Sequence, residues 1–217
     1  MSAIPKIVHY IWVGPNPITP LAVRCIASWK KYLPDYKIKL WNETNSPMDH
    51  HYVKAMYEKG KWAFVSDYIR FWVLANEGGI YLDTDMEVLK PLDDFLGQVG
   101  FVGRSKSGHI ESSIIGAIPQ ADFVQKALSV YDKDHVYNLV TSPVVLQNVI
   151  NELNDISIKI YDYSYFFPCD EGEKVDSSSL ANAYTNHHWA ESWVSHAGLR
   201  KFLRRTVVLP LIKKLLK

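Results

Sequence analysis

Apolar and polar positions alternate between two periods along this chain. "PKIVHYIWVG" is a short apolar run rich in β-branched and aromatic residues, closed by Gly14-Pro15-Asn16-Pro17, and reads as a buried strand and a loop. Thr19-Pro20 is an N-cap followed by proline at the first helical position, predicting a helix to about Tyr32 that stops before Pro34. "YKIKLW" alternates as a second strand, and residues 48–59 read as a second helix. "KWAFVSDYIRFWVLANEGG" is the clearest helix, ended by a Gly78-Gly79 C-cap signal. It is apolar on nearly every side, so it is expected inside the molecule. "GIYLD" and "GFVGR" are further strands. Helices follow near 120–131 and after Pro143, and "ISIKIYDYSYF" reads as a late strand. Strands alternating with helices predict an α/β fold whose sheet is mostly parallel and covered on both faces.

Composition supports a packed domain. Of 217 residues, 47% are hydrophobic and 22% charged, which argues against disorder. There is no repeat, no signal-peptide pattern and no uncharged apolar run long enough to span a bilayer. Cys25 and Cys169 are read as reduced thiols of a cytoplasmic chain. Charge divides the chain. Net charge is +1, yet seven of the 24 basic residues and none of the 23 acidic ones lie after Glu191, leaving 17 basic against 23 acidic residues before that point. Residues 1–196 are read as one domain and 197–217 as a basic amphipathic helical tail. The tail has the composition of a segment for an anionic membrane surface, or of one that docks on the acidic body. A position at the inner face of the plasma membrane follows from the first alternative.

Candidate chemistry gathers at "GGIYLDTDMEVLK". Residues two apart on extended backbone face one side, so Asp83 and Asp85 converge. Two such carboxylates repel unless a cation lies between them, and an oxygen pair suits Mg²⁺ or Mn²⁺. In isolation, D-x-D also describes a solvated strand end or an Asx turn, and Glu87, which continues the same period, is a third acid or an ordinary solvent-facing residue. Asp67 and Arg70 share one face of the apolar helix. They are an ordinary ion pair, or else Asp67 accepts from ribose hydroxyls or a base edge while Arg70 forks onto phosphate or holds a carboxylate in place. Trp12 ends the first strand and is either core or a platform for a nucleobase. His187 and His188, in "NHHWAESW", are surface residues, metal ligands or diphosphate donors.

These segments occur in one order: "IPKIVHYIWVG", Ser28-Trp29, "PDYKIKLWNE", "KWAFVSDYIRF", "NEGGIYLDTDMEVLKPLDDF" and "HHWAESW". Together, over about residues 4 to 193, they resemble the sugar-nucleotide glycosyltransferases with a D-x-D motif. That group includes capsule and exopolysaccharide transferases and Och1-like mannosyltransferases, with the clostridial glucosylating toxins as distant relatives. The resemblance implies a GT-A fold, a divalent metal (Mn²⁺, or Mg²⁺) and retention of anomeric configuration. It implies that Trp12 stacks on the base, that Asp67 and Arg70 hold the donor, and that Asp83 contacts ribose and metal. Asp85 becomes the principal metal ligand, and His187, with His188 as substitute, faces metal or diphosphate. Ser192 and Trp193 close over the diphosphate. The chain departs from the pattern at Glu111-Ser112-Ser113, where relatives often carry asparagine, so contacts there do not transfer. The function implied is transfer of a hexose from a UDP-sugar to a glycan or lipid-linked saccharide in polysaccharide synthesis. GDP-mannose-dependent mannosyl transfer is the alternative. A metal-dependent phosphohydrolase or nucleotidyltransferase and a non-catalytic sugar-nucleotide binder are the rival classes.

Overall fold

The computed structural model describes residues 3–133, 140–153, 157–173 and 175–190. The tail at 197–217 and the pair Ser192 and Trp193 lie outside the described residues. Six strands form one sheet in the order β2-β1-β3-β6-β5-β7. These are β1 (Ile7–Ile11), β2 (Lys37–Trp41), β3 (Gly79–Leu82), β5 (Gly100–Arg104), β6 (Ile110–Ala117) and β7 (Ile158–Tyr161). Strand β1 runs parallel to both β2 and β3, and β5 parallel to β7, while β6 lies antiparallel between β3 and β5. A separate two-stranded sheet pairs β4 (Met86–Val88) with β8 (Thr185–His187).

The expected helices form where their signals stand. Helix α1 (Pro20–Tyr32) begins with Thr19, whose side chain accepts from the Ala22 N–H. Helix α2 covers His51–Glu58, α3 Trp62–Glu77, α4 Asp122–Asp132 and α5 Ser142–Leu153. Gly78 ends α3 at φ 62°, and a Cβ there would lie 2.6 Å from the Pro119 ring, so only glycine fits. The late strand is shorter than its sequence suggests. After Tyr161, Asp162 caps a helical turn, α6 (Tyr163–Phe166), because its carboxylate accepts from the Ser164 N–H. A last turn, α7 (Ser177–Leu180), carries a capping box on Asp176.

The sheet separates two apolar layers, and side-chain alternation sorts residues between them. On β3, Tyr81 faces the layer built by α2, α3, α4 and α5, while Ile80 and Leu82 face the layer with α1, β4 and α6. Helix α3 contributes Val65, Ile69, Phe71, Val73 and Leu74 to the first layer, all fully buried. In the second layer Trp29 is buried, and its indole N–H donates to the Met86 carbonyl at 2.7 Å. Its neighbour Ser28 accepts from the Val88 N–H at 2.9 Å and donates to the Cys25 carbonyl. The Ser28-Trp29 pair therefore ties α1 to β4, directly after the two aspartates. Cys25 and Cys169 are both buried and unpaired with each other.

Candidate functional site

The site lies where the carboxyl ends of β1 and β3 meet the start of β6, the place where open α/β sheets take ligands. Trp12 follows β1, Asp83 follows β3, and Ser112 and Ser113 lie on β6. Sheet order thus sets a line across the pocket: Trp12, then the aspartates, then the serines. A cavity of about 400 Å³ joins them, lined also by Trp62, Asp67, Arg70, Ser142, His187 and Trp189.

At the aspartate end, chain geometry does the assembly. The Asp83 N–H donates to the Ser113 carbonyl at 2.9 Å, extending the β3–β6 ladder by one residue. A turn follows, in which the Met86 N–H returns to the Asp83 carbonyl. Strand β4 then pairs with β8 so that Met86 opposes His187. That pairing sets His187 Nε2 3.2 Å from Asp85 Oδ1. Asp85 Oδ2 accepts from the Ala190 N–H at 2.8 Å, and the Asp85 carbonyl accepts from the His188 N–H. Burial pushes the Asp85 carboxyl up, but the His187 contact and the Ala190 N–H overcome it and hold it well below the ordinary carboxylate range. Burial opposes a charge on His187 in turn, and Asp85 outweighs it, so the imidazole is held above its usual value.

Ligand atoms of Asp83, Asp85 and His187 lie within 4.8 Å of one another. His187 is buried and its Nδ1 has no hydrogen-bond partner. Two carboxylate oxygens and an imidazole, with one buried nitrogen unsatisfied, fit a hard or borderline divalent cation of the Mg²⁺ or Mn²⁺ kind. His188 turns elsewhere: its Nε2 lies 3.0 Å from Glu87 Oε2, outside the pocket lining. Glu87 thereby has a partner of its own and stays out of the cluster.

Asp67 and Arg70 are drawn into the pocket wall by a buried network rather than left on a surface. Arg70 Nη2 lies 2.9 Å from Asp67 Oδ1, and Nη1 lies 3.4 Å from Asp83 Oδ1. Arg70 Nη1 also donates to the Ser112 carbonyl and hydroxyl, at 2.9 and 3.1 Å. Asp67 accepts from the Ser142 N–H at 3.0 Å and from its hydroxyl at 2.6 Å. Burial pushes the Asp67 carboxyl up, while Arg70 and Ser142 pull against it. Asp83 receives the Tyr81 hydroxyl at 2.6 Å on the oxygen that faces Arg70. Arg70 thus holds Asp67, Asp83 and β6 in one frame, with Tyr81 beneath its guanidinium at 4.6 Å.

Trp12 is half-buried, and its indole N–H donates to the Asn16 carbonyl at 2.8 Å, which fixes the ring edge against its own loop. Ser142, Trp62 and Trp189 are among the pocket residues not singled out in the sequence. Ser142 is 75 positions from its partner Asp67, so no local pattern announces it. Trp62 reads as one more apolar residue of α3. Trp189 has φ 51°, a left-handed conformation that a bulky side chain rarely adopts, and its ring lies 4.2 Å from that of His187.

Residues 20–102 match the family model for the glycosyltransferase sugar-binding region containing the DXD motif. An uncharacterized glycosyltransferase, L373 of Acanthamoeba polyphaga mimivirus, is 27% identical over 91% of this chain and 87% of its own length. The mannosyl phosphorylinositol ceramide synthase SUR1 of Saccharomyces cerevisiae is 26% identical over 71% of this chain, which spans about half (48%) of that relative. Among solved structures, the PaToxG glycosyltransferase superposes with a TM-score of 0.57 at 21% identity, over 70% of each chain. Residues 20–102 are thus similar to the DXD-containing sugar-binding region of glycosyltransferases, and the chain shares the mixed α/β fold of the PaToxG glycosyltransferase.

Proposed function

We propose that this protein is a metal-dependent, retaining hexosyltransferase that takes its sugar from a nucleoside diphosphate donor and passes it to a saccharide or lipid-linked saccharide. The observation that carries the reading is the convergence of Asp83, Asp85 and His187 in a pocket that also presents Trp12. Trp12 takes the nucleobase by stacking, a contact that suits uracil and guanine alike. Asp83, Asp85 and His187 would hold a divalent cation. The sugar then lies toward β6, where Asp67, Arg70, Ser112 and Ser142 present polar groups. When bound, a divalent cation supplies Lewis-acid stabilisation of the charge that develops on the departing diphosphate.

Arg70 fixes the Asp83 side chain in position before the donor arrives, so little reorganisation remains for the reaction itself. Ser192 and Trp193 are proposed to close over the diphosphate and exclude water. The bond between the anomeric carbon and the diphosphate oxygen breaks, and its electron pair leaves with the diphosphate. The acceptor hydroxyl attacks from the same face and gives its proton to the leaving group. A trapped glycosyl–protein adduct would replace this same-face step with a double displacement.

Two donors divide the reading. A UDP-hexose used in capsule or exopolysaccharide synthesis is the first. Mannosyl transfer from GDP-mannose is the second, and the mannosyl phosphorylinositol ceramide synthase among the relatives supports it. The experiment is a panel of UDP- and GDP-hexoses with Mn²⁺, scored for nucleoside diphosphate release and for the anomeric configuration of the product. Mn²⁺-dependent release from one donor is expected. Release from none of them, together with metal-dependent hydrolysis of a simple phosphate ester, would move the protein to the phosphohydrolases.

A further inference from the structure

Glu43 lies just beyond β2, half-buried, outside the pocket lining and away from the metal cluster. Its Oε1 accepts from the Gly14 N–H at 2.6 Å and from the Tyr57 hydroxyl at 3.0 Å. Neither donor lines the pocket, but both adjoin residues that do: Gly14 follows Trp12 and Val13, and Tyr57 packs on Trp62. Gly14 opens the loop whose Asn16 carbonyl takes the Trp12 indole N–H. Gly14 adopts φ +93°, and a Cβ there would meet the Trp62 ring at 2.9 Å. Tyr57 packs edge-on against that same Trp62 ring, with centroids 4.8 Å apart. One carboxylate oxygen therefore links the loop after β1, helix α2 and, through Tyr57, the first residue of α3. Trp12 and Trp62 both line the cavity.

Bonds to a carboxylate oxygen are stronger than bonds to a neutral acceptor, and of the two made here the one from the Gly14 loop, at 2.6 Å, is the shorter. The loop it restrains contains Pro15, Asn16 and Pro17, all exposed, so little packing replaces the bond when it is lost. We infer that Glu43 is a positioning residue for nucleobase recognition: it holds the Gly14–Asn16 loop so that Trp12 meets the base of the donor nucleotide already ordered. Resting on the donor reading above, this adds a residue that touches neither substrate nor metal. Without Glu43 the loop must be ordered on binding, and that cost falls on nucleotide affinity.

The test titrates UDP and GDP in Mn²⁺, and separately Mn²⁺-pyrophosphate, into the wild type, Glu43→Ala, Glu43→Gln and Tyr57→Phe. Pyrophosphate engages the metal end alone and reports a general loss of structure. Glu43→Ala is expected to weaken the nucleotide that the wild type binds by roughly tenfold or more, with pyrophosphate binding within about twofold of wild type. Glu43→Gln keeps an acceptor oxygen and should return nucleotide affinity to within about threefold of wild type. Unchanged nucleotide binding in Glu43→Ala, or equal loss of nucleotide and pyrophosphate, overturns the inference. Should Glu43→Ala fail to fold, Tyr57→Phe decides: it removes one of the two bonds and is expected to weaken nucleotide binding by a few-fold, and no change overturns the role. A wild type that binds Mn²⁺-pyrophosphate but neither nucleotide defeats the donor reading, and this inference with it.

Discussion

Arg70 shows how a single side chain connects fold and site. Its guanidinium is almost fully buried, with Asp67 on one nitrogen and Asp83 and Ser112 on the other. Removing one partner of a buried pair leaves an uncompensated charge, which costs more than the pair contributes. Arg70→Ala is therefore expected to lower stability by about 3 kcal/mol or more in urea denaturation. Arg70→Lys should recover only part of this, since an ammonium lacks the planar fork. The sequence made Asp67 and Arg70 visible as charges on an apolar helix, where an unused charge is expensive. It did not reveal that Ser142 would cap Asp67, because that contact joins segments 75 positions apart. His187 and His188 were indistinguishable as neighbours in sequence. The β4–β8 register separates them, directing His187 to Asp85 and His188 to Glu87.

Among the elements, the helices were the most legible. α1 carries its own N-cap and proline, and α3 its apolar surface and terminal glycines. Strand β6 was the least legible although it is central in the sheet. Its sequence, "IESSIIGA", has polar residues where a buried strand should be apolar. Those residues serve the site: Ser112 receives Arg70, and the Ser113 carbonyl receives the Asp83 N–H. Local patterning fails here because the strand answers to chemistry as well as packing. Strands β4 and β8, three residues each, are too short for any period to register. The apolar half of β6 gives a sharp expectation. A Cβ on Gly116 would lie 2.0 Å from the Phe101 ring, which is fully buried. Gly116→Ala should then cost about 1–3 kcal/mol in chemical denaturation, as overpacking does. A neutral result would mean that β5 and β6 are looser than described.

At the scale of the molecule, stability should depend on pH through His9. The Trp41 indole N–H donates to His9 Nδ1 at 3.0 Å, so the ring's proton sits on Nε2 and is donated to the Gly78 carbonyl at 2.8 Å. Burial opposes the charged imidazole and lowers its value to about 4, against 6.5 ordinarily. The unfolded chain binds this proton first as pH falls. The stabilisation is thus complete above about pH 6.5 and is lost as pH drops toward 4, by as much as about 3 kcal/mol. His9→Gln should flatten that part of the profile. The mixed α/β class and sheet-end site followed from alternating elements, while strand order needed the long-range pairing of β3 with β6. The basic composition of residues 197–217 remains a proposal for membrane contact. The full chain is expected to co-float with anionic vesicles and the chain lacking 197–217 is not, and equal flotation would remove the idea.

Asp83, Asp85 and His187 are proposed to hold a cation on which nucleotide binding depends. Calorimetric titration of UDP and GDP, with Mn²⁺ and with EDTA, into wild type and Asp85→Ala tests it most directly. The prediction is clear binding of at least one nucleotide by the wild type in Mn²⁺, with about a hundredfold or greater loss in EDTA and in Asp85→Ala, as removal of a metal ligand implies. Nucleotide affinity that is the same in all three conditions would mean that nucleotide binding does not depend on a cation at Asp85.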